Sequence, residues 1–350
     1  MTATATRPTS WPVTPPRTTV PDGPPARTTT LTMAKALNEA LRHALADDPK
    51  TLVMGEDVGR LGGVFRVTDG LHAQFGDDRV VDTPLAESGI VGTAIGLAMR
   101  GWRPVLEVQF DGFVFPAFDQ IVSQLARMHY RSRGRLTLPV VVRIPYGGGI
   151  GAIEHHSESP EVLFAHTPGL RVVSPSTPDQ AYSMLRAAVA CPDPVLFFEP
   201  KAKYWGKGEV DLDAGVDPFV LDTARVVRPG SDVTVVAYGP TVATALAVAD
   251  ASEASVEVID LRTLSPLDVR AVAASVRRTG RCVVVHEAPV LYGTGAEVAA
   301  QITEECFYYL QAPVLRVGGY HTPYPVATAE RDWLPSAQRV ADAVARAVAF

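Results

Sequence analysis

The sequence predicts an α/β protein in which a mostly parallel sheet is covered by helices on both faces, and three observations support this prediction. Short runs rich in Val, Ile and Leu alternate with segments whose apolar residues recur at helical spacing, as in parallel sheets joined by crossover helices. The chain has 350 residues, 47% of them hydrophobic, enough for two domains with separate cores. The alternation lapses once, near residue 205, and then resumes.

The first thirty residues are rich in Thr, Pro and Ala, and we predict a disordered leader there. Their prolines exclude the amphipathic helix that an organellar transit peptide requires. The three cysteines, Cys191, Cys282 and Cys306, share no metal-like spacing and are too few for a disulfide framework. Both observations favour a reducing, cytoplasmic location.

Ordered structure is predicted from Leu31, in a first domain that covers residues 31–204. Apolar residues recur at helical spacing over residues 33–44, and residues 51–54, before Gly55, have the pattern of a buried strand. Further strands are predicted at residues 79–82, 103–108, 138–144, 170–173 and 195–198. Helices are predicted at residues 89–99 and 117–128.

A Gly- and Asp-containing stretch after Tyr204 indicates a linker, which we place at residues 205–225 before a second domain at residues 226–350. In the second domain, strands are predicted at residues 233–237, 255–259 and 282–285, and helices at residues 242–249, 296–305 and 337–348. Ser265-Pro266 has the pattern of an N-cap and N1 proline that open another helix.

The charge of the chain excludes some classes of partner. A net charge of −6 provides no basic surface for phosphate backbones or anionic lipids. No apolar run reaches the roughly eighteen residues that a membrane-spanning helix needs. We therefore expect neither nucleic acid nor membrane as a partner.

Ligands of open α/β sheets bind beyond the carboxyl ends of the strands, so the loops after Val53, Val81, Val108 and Ile144 are the candidate site. The first loop has four glycines and two acids that can pair with Arg66. A tight turn with a structural ion pair and a functional site are both consistent with this pattern.

Glu87 stands in Asp82-Thr-Pro-Leu-Ala-Glu-Ser-Gly89, at or near the start of a predicted helix. From its position alone, Glu87 is most simply a favourable partner for the helix dipole. Gly89, Gly92 and Gly96, however, allow another helix to approach closely, which predicts that Glu87 lies at a buried interface. A carboxylate there has a raised proton affinity unless it is partnered.

The loop after Ile144 combines glycines with histidines. Tyr146-Gly-Gly-Gly-Ile-Gly151 can form a nest of backbone N–H groups for an anion, although it lacks the ending of a P-loop and the spacing of a dinucleotide motif. In Glu154-His-His-Ser-Glu-Ser159, adjacent histidines of an extended chain would point to opposite sides. A metal ligand, a structural pair and a proton-transferring His in a mobile loop remain open interpretations.

Several longer motifs, in this order through both domains, resemble the E1 β subunits of 2-oxo acid dehydrogenase complexes. They are Gly55-Glu-Asp-Val-Gly59, Gly62-Gly-Val-Phe-Arg66, Arg79-Val-Val-Asp-Thr-Pro-Leu-Ala-Glu-Ser-Gly89, Gln109-Phe-Asp-Gly-Phe-Val-Phe-Pro-Ala-Phe-Asp-Gln120, His156-Ser-Glu-Ser-Pro160, His166-Thr-Pro-Gly-Leu170, Phe197-Phe-Glu-Pro-Lys201, Val258-Ile-Asp-Leu-Arg-Thr-Leu264 and His286-Glu-Ala-Pro289. The resemblance extends from Leu31 to the C-terminus. Segments 159–166, 304–307 and 319–324 resemble the branched-chain members more than the pyruvate members.

The resemblance implies a transketolase-like, thiamine-diphosphate-binding pyrimidine domain followed by a transketolase C-terminal domain. It implies that Glu87 hydrogen-bonds N1′ of the aminopyrimidine and promotes deprotonation of thiazolium C2. Phe113 matches the aromatic position beside the pyrimidine, Gln109 and Leu85 match neighbouring contacts, and His156 matches a His implicated in reductive acylation of the lipoyl group. Phe113 stands where branched-chain members commonly have Tyr, and Glu158 replaces a Gln.

The resemblance further implies an α2β2 tetramer with two α subunits, an E2 lipoyl acyltransferase as a second partner, and a small 2-oxo acid as substrate. Related enzymes hold the Mg²⁺ of the diphosphate through a Gly-Asp-Gly…Asn motif. This chain has no Gly-Asp-Gly, and Asn38 is its only Asn. We therefore expect no Mg²⁺ site in this chain, and expect the α subunit to bind Mg²⁺ and the diphosphate.

The resemblance also suggests a K⁺ site formed by backbone carbonyls of Leu138, Val140, Val141, Cys191 and Asp193, although Cys191 stands where relatives tend to have an acid. Two alternatives to a branched-chain enzyme remain. A pyruvate or acetoin dehydrogenase β subunit uses the same chemistry on a smaller acyl group. A noncatalytic assembly subunit would retain the fold without the activity.

Overall fold

The computed structural model describes residues 28–350, so the leader predicted for residues 1–30 lies outside the described residues except for its last three. Those three belong to a strand, so regular structure starts before Leu31. The strands, in chain order, are β1 (Thr28–Thr32), β2 (Thr51–Gly55), β3 (Val80–Asp82), β4 (Arg103–Glu107), β5 (Val141–Tyr146), β6 (Arg171–Val173), β7 (Val195–Pro200), β8 (Lys207–Asp211), β9 (Arg225–Arg228), β10 (Val233–Ala237), β11 (Val256–Asp260), β12 (Thr263–Ser265), β13 (Cys282–Pro289) and β14 (Leu315–Gly319).

Helices alternate with these strands, as the sequence predicts. They are α1 (Met33–Asp47), α2 (Leu71–Phe75), α3 (Glu87–Met99), α4 (Met128–Arg131), α5 (Glu161–Ala165), α6 (Pro178–Ala190), α7 (Thr241–Ala251), α8 (Val269–Thr279), α9 (Thr294–Cys306), α10 (Ala327–Trp333) and α11 (Ala337–Ala349). Among residues 28–350, no helix is long and apolar enough to cross a membrane.

The larger sheet has the strand order β12-β6-β7-β5-β4-β2-β3 within the described chain. Its strands are parallel except β12, which pairs antiparallel with β6. Val53 and Val105 pack in one core with α1 and α6, while Leu52 and Leu106 pack in another with α3. Because neighbouring strand residues face opposite sides, the predicted α/β fold with helices on both faces is confirmed.

The second sheet has the order β14-β13-β10-β11-β9 and is parallel except for β9. Helices α7 and α11 cover one face, and α8 and α9 cover the other. The segment predicted as a linker, residues 205–225, contains β8, which pairs with β1, and a 3₁₀ helix at Pro218–Leu221.

Two local predictions are wrong. Residues 117–128 do not form one α-helix. A 3₁₀ helix (Asp111–Ala117) is followed by a π-helical turn (Gln120–Leu125), closed by the bond from Ala126 N–H to the Ile121 carbonyl. The wide turn absorbs the change of register between the tight 3₁₀ helix and α4.

Ser265 does not cap a helix. It ends β12, and helix α8 begins at Val269. The N-cap is Asp268, whose Oδ1 accepts a hydrogen bond from Ala271 N–H at 3.1 Å. Ser265 lies opposite Val172 in the pair of strands β12 and β6. Because Ser265 is part of this strand, no helix begins at Ser265-Pro266.

Candidate active site

The loops that leave β2, β3, β4 and β5 form the candidate site. These strands are parallel neighbours in the order β5-β4-β2-β3, so their following loops meet at one edge of the sheet. The loops carry the Glu56-Asp57 pair, the start of α3, the segment that begins at Gln109, and the Gly- and His-containing segment 147–158.

Glu87 is the first residue of α3, and only 8% of it is exposed. Within residues 28–350, its carboxylate accepts no hydrogen bond and is still reached by solvent. A first-turn carboxylate is favoured by the helix dipole, and one that is reached by solvent at this edge of the sheet can also bind a ligand. The burial predicted for Glu87 is therefore present. Gly92 faces Gln120, whereas Gly89 and Gly96 are exposed.

A second carboxylate, Glu56, lies beside Glu87. Glu56 is 8% exposed, and its Oε1 atom is buried with no hydrogen-bond partner in the described residues. Burial raises the pKa of the Glu56 carboxyl, and the negative charge of Glu87 raises it further, while a hydrogen bond from the Ala86 backbone N–H lowers it. The pair of carboxyl groups, Glu56 and Glu87, thus favours a ligand group that can donate a proton or a hydrogen bond to it.

Gln109 links the loop after β4 to the loop after β2. Its Nε2 donates to Asp57 Oδ2 at 3.1 Å and to the Glu56 carbonyl at 3.4 Å, which places it beside the carboxylate pair. Arg66, expected to pair with the acids of this loop, instead donates to the Leu61 carbonyl. Of the two interpretations left open for this loop, the structural ion pair with Arg66 is therefore absent from the described residues.

Phe113 and Leu85 contribute apolar surface at this edge. The ring of Phe113 is half-buried and lies 5.3 Å from the ring of His156, centroid to centroid. Leu85 is 81% exposed. The structure thus brings Phe113 against His156, while Leu85 projects from the loop before α3 without a covering group.

The two histidines do not lie in extended chain, so the expectation that they point to opposite sides is wrong. They belong to a 3₁₀ turn at Glu154–His156, and their ring centroids are 4.5 Å apart. The His156 ring packs on Phe110 at 4.2 Å, and its Nδ1 atom is buried without a partner in the described chain. Burial lowers the pKa of His156, and the neighbouring His155 and Lys201 lower it further, favouring the neutral ring.

Glu158, which follows this turn, is half-buried. Burial raises the pKa of its carboxyl, and the charges of Asp111 and Glu154 raise it further. The Glu at this position therefore keeps its proton to a higher pH than an exposed Glu does, which reduces its difference from the uncharged Gln of the motif it resembles.

The backbone N–H groups of the glycine loop after β5 do bind acidic groups, but these are carboxyl groups of the same chain. Glu287 Oε2 accepts from Gly148 N–H at 3.0 Å, and Glu330 Oε1 accepts from Gly149 N–H at 2.9 Å. A side chain at Gly147, where φ is +81°, would start 2.6 Å from Glu287 Oε2. The glycine loop is therefore joined by hydrogen bonds to Glu287 and Glu330 of the second domain.

Sequence reasoning left Glu56 unassigned and missed Asp111 and Lys201. Glu56 carried a signal, since it follows a buried strand directly. Asp111 and Lys201 are 0% and 1% exposed and pair with each other at 2.5 Å. They are 90 residues apart in sequence, so no local pattern could pair them.

Asn38, the only asparagine, serves the packing of α1. Its Nδ2 donates to the carbonyls of Val67 at 2.7 Å and Asp69 at 3.0 Å, and its Oδ1 accepts from Arg42. Asn38 is 1% exposed, so it has no free oxygen to offer a metal at the sheet edge.

The residues suggested for K⁺ lie around the starts of β5 and β7. The carbonyl of Val140 accepts from Val195 N–H at 2.9 Å, and Asp193 Oδ2 lies 3.5 Å from Arg171 Nε. Cys191 is the C-cap of α6. A cation at Leu138, Val140, Val141, Cys191 and Asp193 remains a prediction.

Comparison with known proteins defines the class of this fold and site. The family model "Transketolase, pyrimidine binding domain" matches residues 29–206, and "Transketolase, C-terminal domain" matches residues 222–340. A solved structure, the inactive β4 tetramer of a split-gene transketolase, has a TM-score of 0.74 at 24% identity, covering 91% of this chain and 98% of that one. The chain thus has the transketolase-type fold of thiamine-diphosphate-dependent enzymes.

Relatives narrow this class. The chain is 57% identical over 330 residues to the pyruvate dehydrogenase E1 component subunit beta of Leifsonia xyli, covering 93% of this chain and 97% of the relative. It is 57% identical over 323 residues to the 3-methyl-2-oxobutanoate dehydrogenase subunit beta of Mycobacterium tuberculosis, covering 91% and 92%. The 2-oxoisovalerate dehydrogenase subunit beta of Pseudomonas aeruginosa is 44% identical, with 91% and 95% covered. The chain belongs to the family of E1 β subunits of 2-oxo acid dehydrogenases.

Proposed function

We propose that this chain is the β subunit of a thiamine-diphosphate-dependent branched-chain 2-oxo acid dehydrogenase. It acts in the cytoplasm with two α subunits in an α2β2 heterotetramer and passes the acyl group to the lipoyl group of an E2 acyltransferase. The observation that carries the proposal is Glu87, a largely buried residue whose carboxylate accepts no hydrogen bond in the described chain, beside the buried and unpartnered Oε1 of Glu56.

The residues fit the pyrimidine end of the cofactor. Glu87 has a carboxylate free to hydrogen-bond a protonated ring nitrogen, and the raised pKa of Glu56 supports proton retention at the same place. Phe113 and the exposed Leu85 supply apolar surface for the ring. When bound, thiamine diphosphate supplies the carbon that adds to the 2-oxo acid and the ring that accepts the electrons released on decarboxylation.

In this proposal, the residues of the chain divide the work. Glu87 holds and returns a proton at N1′ of the pyrimidine, Gln109 fixes the loop that carries Glu56, and Phe113 covers the ring. His156 exchanges the proton that the lipoyl sulfur takes up when its disulfide opens. The lowered pKa of His156 favours the neutral ring, which must first take up a proton before it can give one to the lipoyl sulfur.

The α subunit is proposed to bind the diphosphate and Mg²⁺. The support is that this chain has no Gly-Asp-Gly and that Asn38 is committed to the packing of α1. A K⁺ ion at the carbonyls of Leu138, Val140, Val141, Cys191 and Asp193 would stabilise the starts of β5 and β7 without entering the chemistry.

The branched-chain substrate is supported by segments 159–166, 304–307 and 319–324, which resemble branched-chain members. The second candidate is pyruvate, favoured by the 57% identity to the Leifsonia xyli protein. 2-Oxoisovalerate has two more carbons than pyruvate, and each missing methylene changes binding by about 1–3 kcal/mol, so steady-state kinetics can separate the two substrates.

The test is to assay the chain with and without its α subunit on 2-oxoisovalerate and pyruvate. We expect no decarboxylation by the chain alone, and a higher kcat/KM for 2-oxoisovalerate by the complex. Activity of the isolated chain would contradict the proposed division of the cofactor site. A preference for pyruvate would contradict the branched-chain assignment alone and leave the E1 role intact.

A further inference from the structure

A buried ion pair beneath the His156 turn has a role beyond packing. Asp111, in the loop after β4, and Lys201, directly after β7, join through Oδ1 and Nζ at 2.5 Å. Both side chains are fully buried, and Lys201 Nζ lies 5.6 Å from the centre of the Phe110 ring, on which His156 packs. A buried charge pair is weak evidence for stability by itself, so its hydrogen bonds are the more informative feature.

The second oxygen of Asp111 reaches the histidine segment. Asp111 Oδ2 accepts the backbone N–H of Glu158 at 2.8 Å, and the Glu158 carbonyl accepts from Gly147 N–H at 2.9 Å. Glu158 is thus held through both of its backbone polar groups, and the turn Glu154–His156 ends two residues before it. Gly112 packs on the same turn, since a side chain there would start 2.4 Å from the His155 carbonyl oxygen.

The turn is otherwise held by the packing of the His156 ring on Phe110 and by its own backbone hydrogen bonds, from His156 N–H to Ile153 and from Ser157 N–H to Glu154. Glu154 and His155 are exposed, and His156 is half-buried. A turn with few apolar contacts opens locally at low cost. The Asp111 bond is charge-assisted, and such bonds are about twice as strong as neutral ones.

We infer that Asp111, fixed by Lys201, is a positioning residue that holds the turn Glu154–His156 against Phe110 and Phe113, so that His156 stays in place for acyl transfer to the lipoyl group. This inference rests on the proposed function. Asp111 acts through Glu158 and Phe110 and does not touch the substrate.

The test compares two double variants that both remove the buried charges. D111N/K201M keeps a carbonyl oxygen that can accept from Glu158 N–H, whereas D111L/K201M has no acceptor. If leucine cannot be packed, D111S/K201M replaces the second variant, because serine is too short to reach Glu158. D119N, a change of an exposed carboxylate eight residues further on, is the control.

Hydrogen–deuterium exchange of peptides that span residues 154–159 is measured on the full-length chain. We expect about tenfold faster exchange in D111L/K201M than in D111N/K201M, as expected for the loss of about one hydrogen bond. In the complex with the α subunit, transfer to a lipoyl domain should fall about tenfold in D111L/K201M, while decarboxylation with an artificial electron acceptor is unchanged. D119N should match the wild-type protein in all assays.

Equal exchange in the two double variants would overturn the inference, as would a fall in decarboxylation equal to the fall in transfer. Faster exchange with normal transfer would also overturn it, since the turn would then move without consequence. If the wild-type complex transfers no acyl group at all, the proposed function fails and the inference falls with it. The exchange data on the free chain would still show whether Asp111 holds the turn.

Discussion

At the scale of single residues, the site depends on two neighbouring carboxyl groups, those of the largely buried Glu56 and Glu87. Glu87 and Glu56 are each 8% exposed, and their charges oppose each other. Burial of like charges is costly, and a fold that has no use for the pair would gain from a neutral side chain. The arrangement is therefore what a proton-handling site requires and what stability alone disfavours.

The first prediction concerns Glu87→Gln. We expect it to lower the turnover of the reconstituted α/β complex by about 10²-fold or more, the usual contribution of a positioned acid or base. The free energy of unfolding should stay within about 1 kcal/mol, because the Glu87 carboxylate accepts no hydrogen bond in the described chain. CO₂ release and urea unfolding measure the two quantities.

A matched control is Glu297→Gln, a first-turn glutamate of α9 that is exposed. It should leave the turnover unchanged. It should change the free energy of unfolding by no more than a helix-dipole contribution of about 0.3–1 kcal/mol. Unchanged turnover in the Glu87 variant would instead favour a noncatalytic assembly subunit.

The second prediction concerns Glu161, which accepts from Tyr238 Oη at 2.6 Å while its Oε2 is buried without a partner in the described residues. Burial raises the pKa of Glu161 from 4.5 to about 8. The folded state therefore binds more protons than the unfolded state between pH 4.5 and 8. The free energy of unfolding should fall as the pH rises through this window, by on the order of a few kcal/mol.

Glu161→Gln removes this titration and keeps an acceptor for Tyr238. The stability of the variant relative to the wild-type protein should therefore rise from pH 5 to pH 8. Urea unfolding at several pH values measures the free energy of unfolding of both proteins. Other titratable groups contribute equally to both, so their contributions cancel in the difference. A difference that does not change with pH would show that Glu161 ionises normally in the folded chain.

At the scale of elements, capping shows how a sequence signal is overruled. Ser265-Pro266 has the local pattern of a helix start, yet Ser265 pairs in β12. Asp268 satisfies the start of α8 and also accepts from Ala224 N–H at 3.0 Å. Whether a residue caps a helix depends on which other partners the fold offers its backbone. Here Ser265 pairs with Val172 at the edge of the sheet and therefore does not cap a helix.

The third prediction follows from this cap. Asp268→Ala should lower the free energy of unfolding by about 1–2 kcal/mol, because it removes an N-cap and the bond to Ala224. Ser265→Ala should cost less, since the Ser265 hydroxyl makes only a 3.3 Å bond to the Leu170 carbonyl. Thermal or urea unfolding checks both variants. A larger loss of free energy of unfolding in Ser265→Ala than in Asp268→Ala would contradict the assignment of Asp268 as the cap.

At the scale of the whole molecule, the two units are joined by polar contacts and a shared core. Val236 and Val284 of the second sheet belong to the same apolar cluster as Leu106 of the first. Asp260, at the end of β11, accepts from Ser176 and Gln180 of the first unit. The second unit thus shares part of its core and several polar contacts with the first unit.

The fourth prediction concerns Glu330 of α10, which accepts from the backbone N–H groups of Gly149 and Gly151 and from Tyr324 Oη. Glu330→Ala leaves these donors without their acceptor and frees the loop after β5. We expect a loss of about 2–4 kcal/mol, since a hydrogen bond to a charged group contributes about 1.5–3 kcal/mol. Urea unfolding measures the loss.

Glu305→Ala is the control for this change. Glu305 forms an exposed ion pair with Arg277, and such pairs contribute about 0–1 kcal/mol. Equal losses in the two variants would show that the glycine loop does not depend on Glu330.

Much of this molecule could be inferred from pattern alone. The period of apolar residues located most strands and helices, because burial on one or both faces imposes that period directly. Glu87 was located in the same way, since it follows a strand at the edge where ligands of parallel sheets bind. Its role, however, came from the resemblance to the E1 β subunits, because its position alone favoured a partner for the helix dipole. Residues whose role depends on their own segment are visible in the sequence.

The partners of such residues, in contrast, could not be predicted from the sequence. Asp111 and Lys201, Gly149 and Glu330, and Gly148 and Glu287 are joined by contacts between segments 90 to 181 residues apart. Nothing in either segment specifies such a contact, because it arises only when distant strands join in one sheet, as for Asp111 and Lys201, or when the loops of the two units pack together. The position of Glu87 was thus determined by local pattern, whereas the pairing that anchors the His156 turn was determined by tertiary packing, since hydrogen bonds and ion pairs depend on distances that local sequence does not encode.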